Sequence, residues 1–121
     1  MVAPSEHPTL ADWAWIGSTA LSLAAQKGAR PVVEMLLAHE GTNLDLATKY
    51  GRTPVSSAAL QGHHEAVRVL ADKGANLDRA DVCGRTVMYL AAQKDHREVV
   101  RVLADKGANL DLANKNGATP V

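Results

Sequence analysis

The chain has 121 residues, of which 46% are hydrophobic, so a single folded domain with a core is expected rather than disorder. Its 13 basic and 13 acidic residues give a formal net charge of zero, which argues against a general nucleic-acid binder and against an electrostatic membrane anchor. The single cysteine cannot form an internal disulfide and no secretion signal opens the chain, so we expect an intracellular location, cytoplasmic or, as the alternative, nuclear.

The N-terminal residues divide into two predicted stretches. Residues 1–8 contain Pro4 and Pro8 and few apolar residues, which predicts a flexible lead-in. Residues 9–16 carry both tryptophans, and Leu10 lies seven residues before Gly17. Leu44 stands at the same distance before Gly51, so residues 9–16 are interpreted as the loop of a partial repeat.

The centre of the chain contains two consecutive copies of one 33-residue unit. Residues 51–83 and 84–116 match at 20 of 33 positions without gaps, which identifies a repeat array. A first repeat of similar pattern covers residues 17–50, and residues 117–121 begin a fourth. We therefore predict a repeat domain over residues 9–121.

Each repeat is predicted to contain two short helices followed by a turn-prone loop. Thr19 and Thr53 are placed as N-caps, Pro54 as the first helical residue, and Gly28 and Gly62 at the left-handed positions that end a helix. The second helices have apolar residues at i, i+3 and i+4, which predicts one buried stripe: Val33, Leu36 and Leu37, then Val67, Leu70 and Ala71, then Val100, Leu103 and Ala104. The loops should form β-turns or hairpins, with Asp45, Asp78 and Asp111 as turn formers.

The third repeat departs from the pattern of its neighbours. It has Val87 in place of proline and Asp95 where the other two repeats have glycine. A left-handed Asp costs about 1 kcal/mol relative to glycine. We therefore expect residues 84–116 to be the least stable complete repeat.

These residues resemble the ankyrin repeat. Gly51-Arg52-Thr53-Pro54-Val55, Ala58-Ala59, Gly62-His63 and Gly74-Ala75 follow that family's pattern in register, and the third repeat follows it from Gly84 to Ala108. The resemblance implies an all-α solenoid of stacked antiparallel helix pairs with projecting loops. It also implies a non-catalytic, protein-binding role.

No catalytic, metal or cofactor motif stands out beside the repeats. His63 and His96 are repeat-equivalent, which places them in successive layers rather than around one ion. The resemblance implies that they connect the two helices of a repeat to a loop. Cys83 lies beside Arg85, which can raise thiol reactivity, but an ordinary loop residue is the favoured interpretation.

The candidate binding surface consists of residues that differ between repeats while the structural residues are nearly copied. They flank the glycine that starts each repeat, in the loop tips and first helices that line the concave face of ankyrin-like proteins. Tyrosine, tryptophan and arginine also anchor many interfaces, and the basic residues suggest a partner with acidic character. The predicted partner-binding residues are Trp13, Trp15, Lys49, Tyr50, Arg52, Val82, Cys83, Arg85 and Lys115.

Two alternatives stay open. The array can be a spacer or assembly segment that self-associates through its uncapped ends, since a repeat buries its apolar face only against a neighbour. Trp13 and Trp15 can serve either as an end cap over the first helix pair or as binding anchors.

Overall fold

The computed structural model describes residues 20–39 and 42–109, and within them the chain forms six helices and no β-strand. The first helices of the three repeats are α1 at residues 20–27, α3 at Pro54–Leu60 and α5 at Val87–Gln93. The second helices are α2 at Arg30–Leu37, α4 at His64–Asp72 and α6 at Arg97–Asp105. The predicted all-α architecture of helix pairs is confirmed.

Threonine side chains begin the first helices. Thr53 accepts a hydrogen bond from the backbone N–H of Ser56 at 3.4 Å, and the Ser56 hydroxyl accepts one from the Thr53 N–H at 2.8 Å. This reciprocal capping box and Pro54 at the first helical position confirm the predicted start of α3. Thr86 caps α5 by accepting a bond from Tyr89 N–H, whereas the predicted cap Thr19 lies outside the described residues.

A tight turn joins the two helices of each pair. Gly28, Gly62 and Asp95 have φ angles of +70°, +79° and +58°, which confirms the predicted left-handed positions. In the second repeat the turn is closed by backbone bonds from His63 N–H to Ala58 and from His64 N–H to Gly62. Asp95 is the one non-glycine residue of the described ranges in this region of backbone space.

The helices stack in two rows. In the first-helix row α3 packs against α5, and in the second-helix row α4 lies between α2 and α6. Within the pairs, α3 contacts α4 and α5 contacts α6. The core between the rows consists of small and branched aliphatic residues, which allow close approach of short helices; its fully buried members include Leu21, Val33, Val55, Val67, Leu70, Val87, Val99 and Leu103.

In α4 and α6 the buried stripe is wider than predicted, because each of these two helices packs against its own partner helix and against a neighbour in the row, whereas in α2 only Val33 is buried. Val69 and Val102 are buried although they lie outside the predicted stripe. Ala104, a predicted stripe residue, is exposed, so its assignment to the core is wrong. Ala104 lies on the side of α6 against which no described helix packs.

The loops carry hydrogen bonds from one repeat to the next. Asn76 Oδ1 accepts the N–H of Asp78 and forms the local turn, while Asp78 Oδ1 accepts the N–H of Asn109 in the following repeat at 2.7 Å. The same arrangement joins Asp45 to the N–H of Asn76 at 2.9 Å. The prediction that the aspartates form the turns is therefore corrected: the asparagines do so, and the aspartates connect repeats. Asp111 lies outside the described residues.

Ion pairs also cross between second helices. Arg30 Nη1 lies 2.7 Å from Glu65 Oε2, and Lys106 pairs with Asp72. The hydrogen bond from Lys106 lowers the pKa of Asp72 below its usual range. The side chains of these pairs are between 29% and 53% exposed, so solvent screens them and each contributes little to the stability of the fold.

Candidate partner-binding groove

A shallow groove lies between the loop that enters the second repeat and the first-helix row. Its volume is about 220 Å³. We call it the loop groove, and it is lined by Gln26, Thr48, Tyr50, Arg52, Ser57, Leu60 and Gln61. Gln26 belongs to α1 and Ser57 and Leu60 to α3, so two successive repeats build one wall while the loop builds the other.

The loop wall is shaped by a side-chain acceptor three residues before the repeat-starting glycine. Thr48 Oγ1 accepts the N–H groups of Tyr50 and Arg52 at 3.2 and 3.3 Å, and Thr48 N–H donates to the Arg52 carbonyl. Gly51, at φ +80°, completes the turn, and a Cβ there would come within 3.0 Å of the backbone of Asp81. The neighbouring loops are therefore stacked closely.

Tyr50 stands at the tip of this turn. It is 60% exposed, and the Lys49 ammonium lies 5.2 Å from the centroid of its ring, within cation–π range. The Tyr50 carbonyl accepts the N–H of Val82 at 3.0 Å, which places the tips of two successive loops side by side. Val82 is 58% exposed, so the two tips together present an aromatic and an aliphatic side chain.

Asp81 occupies the same position in the next loop as Thr48, and its role was not predicted from the sequence. Its side chain is only 3% exposed. One carboxylate oxygen accepts the N–H groups of Cys83 and Arg85, both at 2.9 Å, and the other accepts Arg85 Nε at 3.0 Å. The signal that could have found it is its repeat equivalence to Thr48, another side-chain acceptor three residues before the glycine.

The two predicted arginine anchors converge on this carboxylate. Arg52 Nε lies 3.9 Å from Asp81 Oδ2 and is a buried polar atom without a hydrogen-bond partner. The side chains of Arg52 and Arg85 are 28% and 29% exposed. They therefore hold the loops together and keep a minor part of their surface for contact with a ligand.

The structure thus brings six of the predicted site residues into one surface across two loop tips: Lys49, Tyr50, Arg52, Val82, Cys83 and Arg85. The Cys83 thiol is free and exposed. Trp13, Trp15 and Lys115 lie outside the described residues, and their assignment stays a prediction. The groove has five further lining residues that the sequence did not indicate, because they do not stand directly beside a repeat-starting glycine: Gln26, Thr48, Ser57, Leu60 and Gln61.

The histidines contact structural groups. His96 Nε2 lies 2.9 Å from the carbonyl oxygen of Leu60, at the end of α3 in the preceding repeat. Its ring occupies the space beside Gly62, and the His63 ring occupies the space beside Gly28. Within residues 20–39 and 42–109, no three His, Cys, Asp or Glu side chains cluster as metal ligands. No helix in this part of the chain is long and apolar enough to cross a membrane.

The architecture defines a class of protein, a helical-repeat solenoid with loops that border a groove. Comparison with protein families identifies the solenoid family to which the chain belongs. A model for three consecutive ankyrin repeats matches residues 6–81, and the single ankyrin repeat model matches residues 83–115. The chain belongs to the ankyrin repeat family, whose members are generally protein–protein interaction modules. Among curated proteins, a search found no match.

Proposed function

We propose that this chain is a non-catalytic scaffold that binds a partner protein at the loop groove and the two adjacent loop tips. The observation that carries the proposal is the size and make-up of the groove. At about 220 Å³ it is smaller than the pockets of roughly 300–1,000 Å³ that hold small molecules, so it suits one inserted side chain. Tyr50 beside it offers a large, rigid contact area of the kind that anchors protein interfaces.

The charge of this surface supports a partner with acidic character. Lys49, Arg52 and Arg85 carry three positive charges, and Asp81 offsets one of them. The remaining positive charge surrounds the apolar pair of Tyr50 and Val82, an arrangement that favours fast encounter with an acidic segment containing an apolar residue. We place this interaction inside the cell.

A comparison of binding between variants tests the proposal. We choose Lys49→Glu with Tyr50→Ala, because both side chains are exposed, and leave the arginines unchanged since they support Asp81. The control is Arg101→Glu, which reverses a charge on the outer surface of α6, where the Arg101 side chain is 68% exposed.

Each protein is used as bait in lysate of cells that express it, and captured partners are then titrated against purified bait. The proposal expects a partner held by the wild type and the control and bound at least about tenfold more weakly by the double variant. Equal affinity of all three proteins, with unchanged helicity, would show that the groove is not the binding surface.

A second candidate function is self-association through the ends of the stack. Leu23, Val32 and Met35, all in the first repeat, are 58%, 46% and 70% exposed. They account for three of the five large exposed hydrophobic residues in the described ranges, and they lie on the first helix pair. A surface of this kind in a repeat protein is suited to receive another repeat.

A further inference from the structure

The two arginines at the loop tips occupy equivalent positions in their repeats but have different partners. Each directly follows a repeat-starting glycine and comes four residues after the side-chain acceptor that shapes its loop. For Arg85 that acceptor is Asp81, whose carboxylate accepts a hydrogen bond from Arg85 Nε at 3.0 Å. For Arg52 it is Thr48, a neutral hydroxyl that accepts two backbone N–H groups. The loop of Arg52 therefore lacks the carboxylate that the next loop has.

The Arg52 guanidinium forms no hydrogen bond with another residue in the described part of the chain. Its Nε is a buried donor without a partner, and Asp81 Oδ2, at 3.9 Å, is too far away to accept from it. That oxygen already accepts Arg85 Nε. The Arg52 side chain lines the loop groove and is 28% exposed. Arg52 therefore offers a positive charge and N–H donors to a group that enters the groove.

The other groove residues supply further donors and no competing charge. Of the described residues that line the groove, only Arg52 is charged at neutral pH. The side chains of Gln26, Ser57 and Gln61 form no hydrogen bond with other described residues, so their amide and hydroxyl groups are available to a ligand. A carboxylate only accepts hydrogen bonds, at about four lone-pair sites, and so matches this lining. A cationic side chain would be repelled by Arg52, and an apolar one would leave the polar groups without partners.

The single positive charge of the lining favours a carboxylate over a phosphate group. Phosphorylated segments carry roughly two negative charges on the phosphate and are bound by clusters of arginines. In this structure Asp81 holds Arg85, and Lys49 lies over the Tyr50 ring and does not line the groove. A group with one negative charge is therefore the better match for Arg52.

We propose that the loop groove binds an aspartate or glutamate side chain of the partner protein, and that Arg52 is the residue that selects it. The site rests on the protein-binding function proposed above and specifies which side chain enters the groove. The bound carboxylate serves Arg52 as Asp81 serves Arg85 in the next loop. The apolar residue of the partner segment lies over Tyr50 and Val82, so the segment continues past the groove and the carboxylate belongs to a side chain within it.

Thr48→Asp tests the role of Arg52 without removing the arginine. Asp81 accepts the two equivalent backbone N–H groups and an arginine Nε at the same time, so an aspartate at this loop position is compatible with the turn. The new carboxylate should pair with Arg52 from within the chain and repel a carboxylate from a ligand. Thr48→Asn is the matched comparison, since its amide oxygen can accept the same N–H groups and adds no charge.

Gln93→Glu is the control for net charge. Gln93 is exposed at the end of α5 and does not line the loop groove, so the substitution adds the same charge as Thr48→Asp at another place. Its binding should equal that of the wild type. Far-ultraviolet circular dichroism verifies that all variants keep the helicity of the wild type.

The probe is a phage-displayed library of random peptides. Peptides are selected on the wild type and depleted on the Lys49→Glu, Tyr50→Ala double variant, which leaves those that bind at the groove and loop tips. The selected peptides should share an aspartate or glutamate at one fixed position near an apolar residue. One of them, and its analogue with the matching amide in place of the acid, is then titrated with each protein by calorimetry.

The wild type and Gln93→Glu should bind the acidic peptide at least about tenfold more tightly than the amide analogue, because hydrogen bonds to charged groups are the stronger ones. Thr48→Asn should also prefer the acidic peptide, whereas Thr48→Asp should not. The peptide pair on the wild type tests the carboxylate even if a variant loses helicity.

The outcomes separate this site from the proposed function. A fixed apolar or basic residue in the selected peptides, equal binding of the two peptides by the wild type, or a preference as strong in Thr48→Asp as in Thr48→Asn would overturn the carboxylate site and leave protein binding at the groove intact. A library that yields no peptide distinguishing the wild type from the double variant would overturn both.

Discussion

The contact between Gly62 and His96 predicts a stability loss that can be separated into two parts. In Gly62→Ala the new methyl group meets a positive φ of +79° and lies 2.9 Å from His96 Nδ1. Gly74 provides the matched control, since its φ is +95° and nothing lies within 4 Å of a Cβ built there. Both substitutions impose backbone strain, but only the first displaces a neighbouring ring.

The backbone strain and the displacement of the His96 ring cost similar amounts of free energy, but only the strain is shared by both variants. Backbone strain from a left-handed L-residue is about 1–2 kcal/mol, and it applies to both variants. Ordinary contact begins at 3.4 Å, so His96 must move by about half an ångström in Gly62→Ala. That movement weakens its 2.9 Å hydrogen bond to the Leu60 carbonyl, which adds about 1–2 kcal/mol. Gly62→Ala should therefore lower the free energy of unfolding by about 2–4 kcal/mol in total.

Urea unfolding followed by circular dichroism measures the difference, provided the slope with denaturant stays constant. The same pair of substitutions is then made in a His96→Ala background. There, the excess cost of Gly62→Ala over Gly74→Ala should vanish, because the ring is gone. Equal destabilisation by the two substitutions in the wild-type background would refute the reasoning that His96 and Gly62 are complementary.

Three further predictions concern single side chains. Asp95→Gly should raise the free energy of unfolding by about 1 kcal/mol at protein concentrations where the chain is monomeric, since it relieves a left-handed Asp. Asp81→Asn should lower the free energy of unfolding by about 2 kcal/mol in a urea titration, because an amide oxygen cannot replace both acceptor oxygens that bind Arg85 and its backbone; no loss would mean that the carboxylate is not needed. Lys106→Gln should raise the pKa of Asp72 in a carboxyl NMR titration. Because that pKa is lowered in the folded state, the wild type should lose this stabilising contribution as the pH falls through the folded-state pKa, and Lys106→Gln should lose less.

Much of the fold could be predicted from repetition alone. Local backbone chemistry forms the helix pairs, the N-cap at Thr53 and the turns at Gly62 and Asp95. The type and spacing of nearby residues are enough to predict these features. The width of the buried stripe could not be predicted in the same way. Val69 is buried in α4, which packs against the second helices of both neighbouring repeats, and Ala104 is exposed in α6, beyond which no described helix packs.

The sequence predicted where the candidate site lies but not which side chains contact one another within it. Divergence between copies marked Tyr50 and Val82, whereas Arg52 and Arg85, which are the same residue in both copies, were marked by their place beside the repeat-starting glycine. The structure gathers all four at adjacent loop tips. The sequence did not reveal that Arg52 and Arg85 share Asp81, since Arg52 lies in a different loop from that carboxylate. It also did not reveal Gln26 and Gln61 as groove residues, because their place depends on how α1 and α3 stand beside the loop.

The sequence by itself therefore determined the repeat length, the helix pairs, the left-handed turn residues between paired helices and the family, because each depends on interactions within one unit. The tertiary structure alone decided which charges are neutralised, which apolar faces are covered and why Gly62 must lack a side chain. Those properties arise between units, where a residue's neighbour is about 33 positions away along the chain, as His96 is from Gly62.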